Sequence, residues 1–304
     1  MERTLADLHL HTVFSDGSLQ DISSFAMNHR VISVTDHNSI GFFQNPPVAC
    51  DKTRIVIGCE VTVNKIPDIL VYFPNLKCYS YALENELAGI RSAEAHIIQS
   101  CYKKLGYTDW AHDIDRAFPK NQVIKDARTR DLAAIIHLHR NHLEYDDGNF
   151  DRIDLMEARK MRSDFAVETS FSFRKDIAFE LAKRFNGETF LAHPIRTAIR
   201  QSNFRGNNGV DLSGELKSLL NQFWNHGGKG VEWEFFPAEY MNRYNLDAAL
   251  LQHMREVVLG FVSQKQIHLS IGTDSHSMKD FEESQRWLCV QFPRIYSFLP
   301  PWVK

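Results

Sequence analysis

Histidines and carboxylates close five short apolar runs of this chain: Asp7-Leu8-His9-Leu10-His11, followed by Ser15-Asp16-Gly17; Val34-Thr35-Asp36-His37-Asn38; Gly58-Cys59-Glu60-Val61; Leu191-Ala192-His193-Pro194-Ile195-Arg196; and Ile271-Gly272-Thr273-Asp274-Ser275-His276. Such side chains are expensive to bury unless they are paired or coordinate a metal. His9 and His11 lie two residues apart and project from one face of an extended strand, and Asp274 and His276 repeat that spacing. Two imidazoles on one face suit a divalent metal. Asp36 and His37 are adjacent and point to opposite sides, so that one ligates while the other orients it from behind. Glu60 sits inside an apolar run, either as a ligand or as an edge residue facing water. Arg196, three residues beyond His193, offers a fork matched to phosphate oxygens.

The elements that must position these groups read as follows. Runs rich in Ile, Val and Leu at 4–8, 31–35, 54–63 and 67–73 predict strands. Between the first two, Ile22, Phe25 and Ala26 recur at helical spacing over 19–29, after the turn residues Asp16 and Gly17. Strand, helix, strand in that order implies a parallel sheet with crossover helices. From about 76 to 186 helical spacing takes over, at 81–105, 127–143 and 165–185, until Gly187 supplies a stop. Strands resume at 189–192, 230–235 and 268–271, separated by helices at 212–224 and 239–260. The reading is one α/β domain interrupted by a helical insertion. If the sheet closes into a barrel, the C-terminal strand ends share one face and the five clusters converge there.

The chain's 304 residues suffice for one barrel-sized domain, and its net charge of -3 excludes a global basic excess of the kind that binds nucleic acid regardless of sequence. Cys50, Cys59, Cys78, Cys101 and Cys289 are scattered without a CxxC pair, which points to a reducing compartment. The start of the chain lacks the regions of a signal peptide, and no run approaches the roughly 18 apolar residues of a membrane span, so a cytoplasmic location is expected.

Taken in order, DLHLHTVFSDG, TDH, GCE, AHPIR and GTDSH resemble the PHP (polymerase and histidinol phosphatase) family, whose motifs read DxHxHTxxSDG, TDH, GxE, AHPxR and GSDxH. The resemblance covers about 5–73 and 187–277. It implies an α/β fold, a distorted (β/α)7 barrel formed by 1–75 and 187–304, with the insertion 76–186 covering the active site. It also implies two or three divalent metals per chain: manganese, zinc or iron. His9, His11, Glu60 and Asp274 would surround one, Glu60 would bridge to a second that also takes His193, and Asp16, His37 and His276 would hold the third. Members carry a further histidine on the strand after the glutamate, where this chain has Pro67-Asp68-Ile69-Leu70-Val71-Tyr72. Asp68 is the replacement ligand or else points to solvent; as a ligand it favours harder cations such as manganese or magnesium.

The activity so implied is phosphoester hydrolysis by a metal-bridging hydroxide attacking phosphorus in line. Arg196 would balance charge on the phosphoryl oxygens, and Asp274 or Asp36 would handle the proton. The expected substrate is a nucleotide, an oligonucleotide end or a small phosphomonoester, met by Arg196, Arg128 and Arg130, with no membrane and no obligate protein partner indicated. The competing readings are an amidohydrolase, whose metal-bridging lysine is not evident after a strand here, and a noncatalytic metal- or partner-binding module. His137, His139 and His142 fall in a predicted helix with His139 and His142 on one side, and Trp233 to Phe236 read as packing residues. Glu232 and Glu234 stand at a strand end within reach of the site but are not assigned as ligands.

Overall fold

A computed structural model of the chain describes residues 5–12, 14–15, 29–45, 53–62, 67–117, 129–144, 152–168, 176–204, 211–243, 246–276 and 278–304. The chain divides into two compact units, one of 1–62, 67–84 and 176–304 and the other of 63–66 and 85–175.

In the first unit seven strands form one sheet in chain order: β1 (Leu5–Leu10), β2 (His29–Val34), β3 (Arg54–Val61), β4 (Ile69–Phe73), β5 (Glu188–Leu191), β6 (Gly230–Glu234) and β7 (His268–Gly272). Its two edges meet, because Leu10 bridges Ser275 and the His11 amide donates to the Ser275 carbonyl at 3.0 Å. The result is a nearly closed barrel. The Asp7 carboxylate adds a clasp across this seam, accepting from the His9 amide (3.2 Å), the Thr273 amide (3.2 Å) and the Thr273 hydroxyl (2.6 Å).

All neighbouring strands run parallel except β4, which is antiparallel to both β3 and β5. The parallel pairing read from the sequence therefore holds at β1–β2, β2–β3, β5–β6 and β6–β7 and fails at β4, and among the described residues crossover α-helices join β5 to β6 and β6 to β7. The stretch of chain between Val61 and Ile69 is too short for a crossover, so β4 must return alongside β3. The reversal matters for the site. Ile69 pairs with Val61 and Leu191, so the start of β4 lies beside the C-terminal ends of its neighbours.

Strands buried on both faces show why the pattern is more than apolar alternation. In β1, Leu8 and Leu10 are wholly buried, each worth on the order of 2 kcal/mol, while Asp7 and His9 alternate with them and are equally buried. In β6, Val231 and Trp233 alternate with Glu232 and Glu234, all four buried. The Tyr72 hydroxyl donates to the Leu8 carbonyl at 2.9 Å, and Trp302 packs its ring 5.4 Å from that of Tyr72.

The helices of this unit include α5 (Ile177–Arg184), α6 (Pro194–Phe204), α7 (Leu212–Asn225), α8 (Ala238–Arg243), α9 (Ala248–Lys265) and α10 (Met278–Ile295). The single helix expected over 239–260 is two, α8 and α9, because Asp247 accepts from the Leu250 amide at 2.7 Å and caps a new start. Helices α6 and α10 were not anticipated. Pro194 opens α6 at a position where its missing N–H is no loss. The helix expected over 19–29 falls outside the described residues, apart from His29, which belongs to β2.

The second unit is helical. The chain enters it along α1 (Tyr81–Lys104), and α2 (Trp110–Ala117), α3 (Thr129–Arg140) and α4 (Arg152–Glu168) pack around Ile98, Tyr102, Leu132 and Ile135. Helix α3 stops at Arg140, so His142 lies beyond it with φ 53° and does not share a helical side with His139. Among the described residues no helix is long and apolar enough to cross a membrane.

Candidate metal centre

At the barrel mouth β1 delivers His9, the residue just past its end is His11, β3 delivers Glu60, and the segment after β7 delivers Asp274. The two imidazole Nε2 atoms stand 3.0 Å apart. Glu60 Oε2 lies 3.4 Å from His9 Nε2 and 3.3 Å from His11 Nε2, and Asp274 Oδ1 lies 3.5 Å and 3.2 Å from the same two atoms. Donors bound at the usual 2.0–2.1 Å around one tetrahedral zinc are separated by about 3.3 Å. The donor spacing here fits a single cation of that kind.

A second group shares Glu60. Its other oxygen, Oε1, lies 3.0 Å from His193 Nε2, and Asp68 Oδ2 lies 3.6 Å from that nitrogen. Asp68 reaches the mouth because β4 is reversed, and its carbonyl is anchored there by the Ala192 amide at 3.0 Å. The third group joins His11, His37 and His276, whose rings stack with centroids 4.6 Å (His11–His37) and 4.3 Å (His11–His276) apart. The ligating atoms of His9, His11 and Glu60, of Glu60, Asp68 and His193, and of His11, His37 and His276 lie within 4.8 Å of one another in each set. The donor set of nitrogen and carboxylate oxygen suits manganese, iron or zinc alike.

Charge at the mouth is finely opposed. Burial disfavours an ionised Glu60, yet His37, His9, His11 and His193 prevail and hold its carboxyl well below the usual range. Burial likewise opposes ionisation of Asp274, and Arg196, His9 and His11 overcome it. For His9 burial works against the charged ring, but Glu232, Asp274 and Glu60 push its pKa well above normal.

Two of the expected catalytic residues are held by hydrogen bonds. Asp36, expected as a proton carrier, uses Oδ1 to accept from the Thr12 amide (2.7 Å) and the Ser15 hydroxyl (2.7 Å), and Oδ2 to accept from the Thr12 hydroxyl (2.6 Å). It ties Thr12 and Ser15, just past β1, to the end of β2. Ser15 Oγ in turn lies 3.3 Å from His11 Nδ1. Arg196 is only 4% exposed; its Nη1 donates to Asp274 Oδ2 at 2.6 Å and its Nε faces Glu234 Oε2 at 3.6 Å, with Tyr240 beneath the guanidinium.

Glu232 and Glu234 are the residues that the sequence reading underrated. Glu232 Oε2 accepts from the His193 amide at 2.5 Å and Glu234 Oε1 from the Arg196 amide at 3.0 Å. The two carboxylates thus satisfy amides at the start of α6, where a helix has no internal acceptors. Glu232 Oε1 also lies 2.6 Å from His9 Nδ1. His193 and Asp274 take left-handed backbone conformations (φ 27° and 54°), as does Asn38 (φ 48°). Each costs roughly 1–2 kcal/mol. Asn38 is held by the Thr62 amide and carbonyl, at 3.0 and 2.8 Å.

Of the remaining expected site residues, Asp16 and Arg128 lie outside the described residues, and so does the side chain of Arg130 in α3. The histidines of α3 have partners inside the helical unit: His137 Nδ1 with Asp154 and His139 Nε2 with Asp113, each at 2.7 Å. Arg140 pairs with Asp154 and Glu157. Trp233 donates to Gln291 at 3.3 Å within the core, the packing role read from the sequence.

No family model matches the chain, and no curated protein sequence does. Among solved structures, an amidohydrolase from Chromobacterium violaceum, with bound sulfate and no metal, matches with a TM-score of 0.53 at 16% identity, over 90% of this chain and 88% of that one. The two chains share a barrel fold. The mixed α/β architecture is a distorted, nearly closed barrel of seven strands.

Proposed function

We propose that this chain is a metal-dependent phosphoesterase of the PHP type, acting on a nucleotide, an oligonucleotide end or a small phosphomonoester. The observation that carries the reading is the meeting of three donor groups at Glu60 and His11. Phosphate esters bring more negative charge into a site than amides do, and a site for several cations answers that demand. The ordered motifs that resemble the PHP family, and the neighbour's sulfate, a tetrahedral oxyanion like phosphate, agree with it.

His9, His11, Glu60 and Asp274 would hold the first metal, Glu60, His193 and Asp68 the second, and His11, His37 and His276, with Asp16, would surround the third. Bound divalent metals supply Lewis acidity, polarising a phosphoryl oxygen and acidifying water. The chain's own groups prepare this chemistry. Arg196 holds Asp274 Oδ2, leaving Oδ1 turned to the histidines. Asp36 fixes the loop that presents His11. Arg196 stands one side chain behind the reacting position, where its positive charge offsets the phosphoryl oxygens through Asp274.

Amide hydrolysis is the second reading, favoured by the name of the structural neighbour. The two are separated by incubating manganese-supplemented protein with p-nitrophenyl phosphate, a nucleotide panel and a short oligonucleotide, and in parallel with N-acyl amino acids and cyclic amides. Phosphate release with no amide turnover is expected. Amide cleavage without phosphate release contradicts the proposal.

A further inference from the structure

We propose that Glu232 is a positioning residue that fixes the proton of His9 on Nδ1 and, through the same carboxylate, seats His193, so that one buried side chain shapes two of the metal positions. The inference rests on the metal-site reading above and deepens it. Glu232 is 1% exposed and carries no motif of the PHP resemblance. The His193 amide can only donate, so Oε2, at 2.5 Å, accepts. Oε1 faces His9 Nδ1 at 2.6 Å, and a carboxylate accepting there leaves the ring proton on Nδ1. In the neutral ring that metal binding requires, the lone pair is then on Nε2, the nitrogen that looks at His11, Glu60 and Asp274. A carboxylate partner behind a ligating histidine sets its tautomer and raises its donor strength.

A second observation shows that the contact is built for. Gly272, opposite on β7, leaves the space in which His9 and Glu232 meet: a Cβ there would stand 2.3 Å from His9 Cβ and 2.6 Å from Glu232 Oε1. Glycine is required at that position by close approach rather than by its backbone angle.

The test uses the full chain, stripped of metal, with zinc as the probe. Zinc affinity and stoichiometry are measured by calorimetry for the wild type, Glu232→Gln and Gly272→Ala, with circular dichroism to check folding. Glutamine can accept at only one of the two contacts and presents N–H to the other; alanine at 272 wedges the pair apart. Each folded variant should bind zinc about 10–100-fold more weakly. Long-range 1H–15N spectra of the zinc-loaded wild type, with the His9 signal assigned by its loss in His9→Ala, should show the proton on Nδ1. Unchanged affinity in either folded variant, or a His9 proton on Nε2, overturns the inference. A wild type that binds no zinc is a different failure, because it removes the metal site itself and this inference with it.

Discussion

At the scale of single residues, the mouth is organised around carboxylates that each do two things. Glu60 divides its oxygens between two donor groups, Glu232 divides its own between His9 and the His193 amide, and Asp36 ties the loop after β1 by three hydrogen bonds. Asp68 is the residue where this chain departs from the PHP pattern, and its distance of 3.6 Å to His193 makes it the second group's outermost donor. Asp68→Ala should therefore lose one equivalent of manganese by elemental analysis while keeping the first; full retention would show that Asp68 is not a ligand. His9→Ala and Asp274→Ala should abolish turnover with the circular dichroism spectrum retained, and full activity in both would place the chemistry elsewhere. The five clusters were legible in the sequence because each interrupts an apolar run with a group too costly to bury alone. The contacts of Asp36 were not, since a Thr-Asp-His triplet does not reveal that the carboxylate meets Thr12 and Ser15.

Among the elements, β4 and β6 are where sequence pattern and structure part. The reversal of β4 is what brings Asp68 to the mouth, and it follows from the short connection between Val61 and Ile69, whose consequence is visible only once the barrel closes. In β6 the alternation of Val231 and Trp233 with Glu232 and Glu234 reads as a half-exposed strand, but the second face of a barrel strand is the interior. Burial raises Glu234 to a pKa of about 7, with Arg196 and His193 opposing. Below pH 4.5 folded and unfolded chains both hold this proton, and between there and about 7 only the folded chain does, so the contribution is lost as pH rises. Glu234→Gln should accordingly gain stability relative to the wild type across that interval, measured by urea unfolding of the metal-free chain; a constant difference would contradict this. At the seam, Asp7→Ala leaves the His9 amide, the Thr273 amide and the Thr273 hydroxyl without their acceptor. A loss of about 2–4 kcal/mol in the same assay is expected, and a loss below about 0.5 kcal/mol would mean that the clasp is dispensable.

Across the whole molecule, a seven-stranded sheet brings together side chains as distant in sequence as His9 and Asp274, and the seam between β1 and β7 is what makes them neighbours. The likeness to a solved amidohydrolase at 16% identity establishes this barrel, while the chemistry must be argued from the donors inside it. Metal dependence is the claim on which every role assigned above rests. The decisive measurement is phosphate release by chelator-treated protein titrated with manganese, with bound metal quantified on the same samples. The account predicts no release from the metal-free chain and activity that returns as two or three equivalents bind; steady release with no metal bound would contradict it.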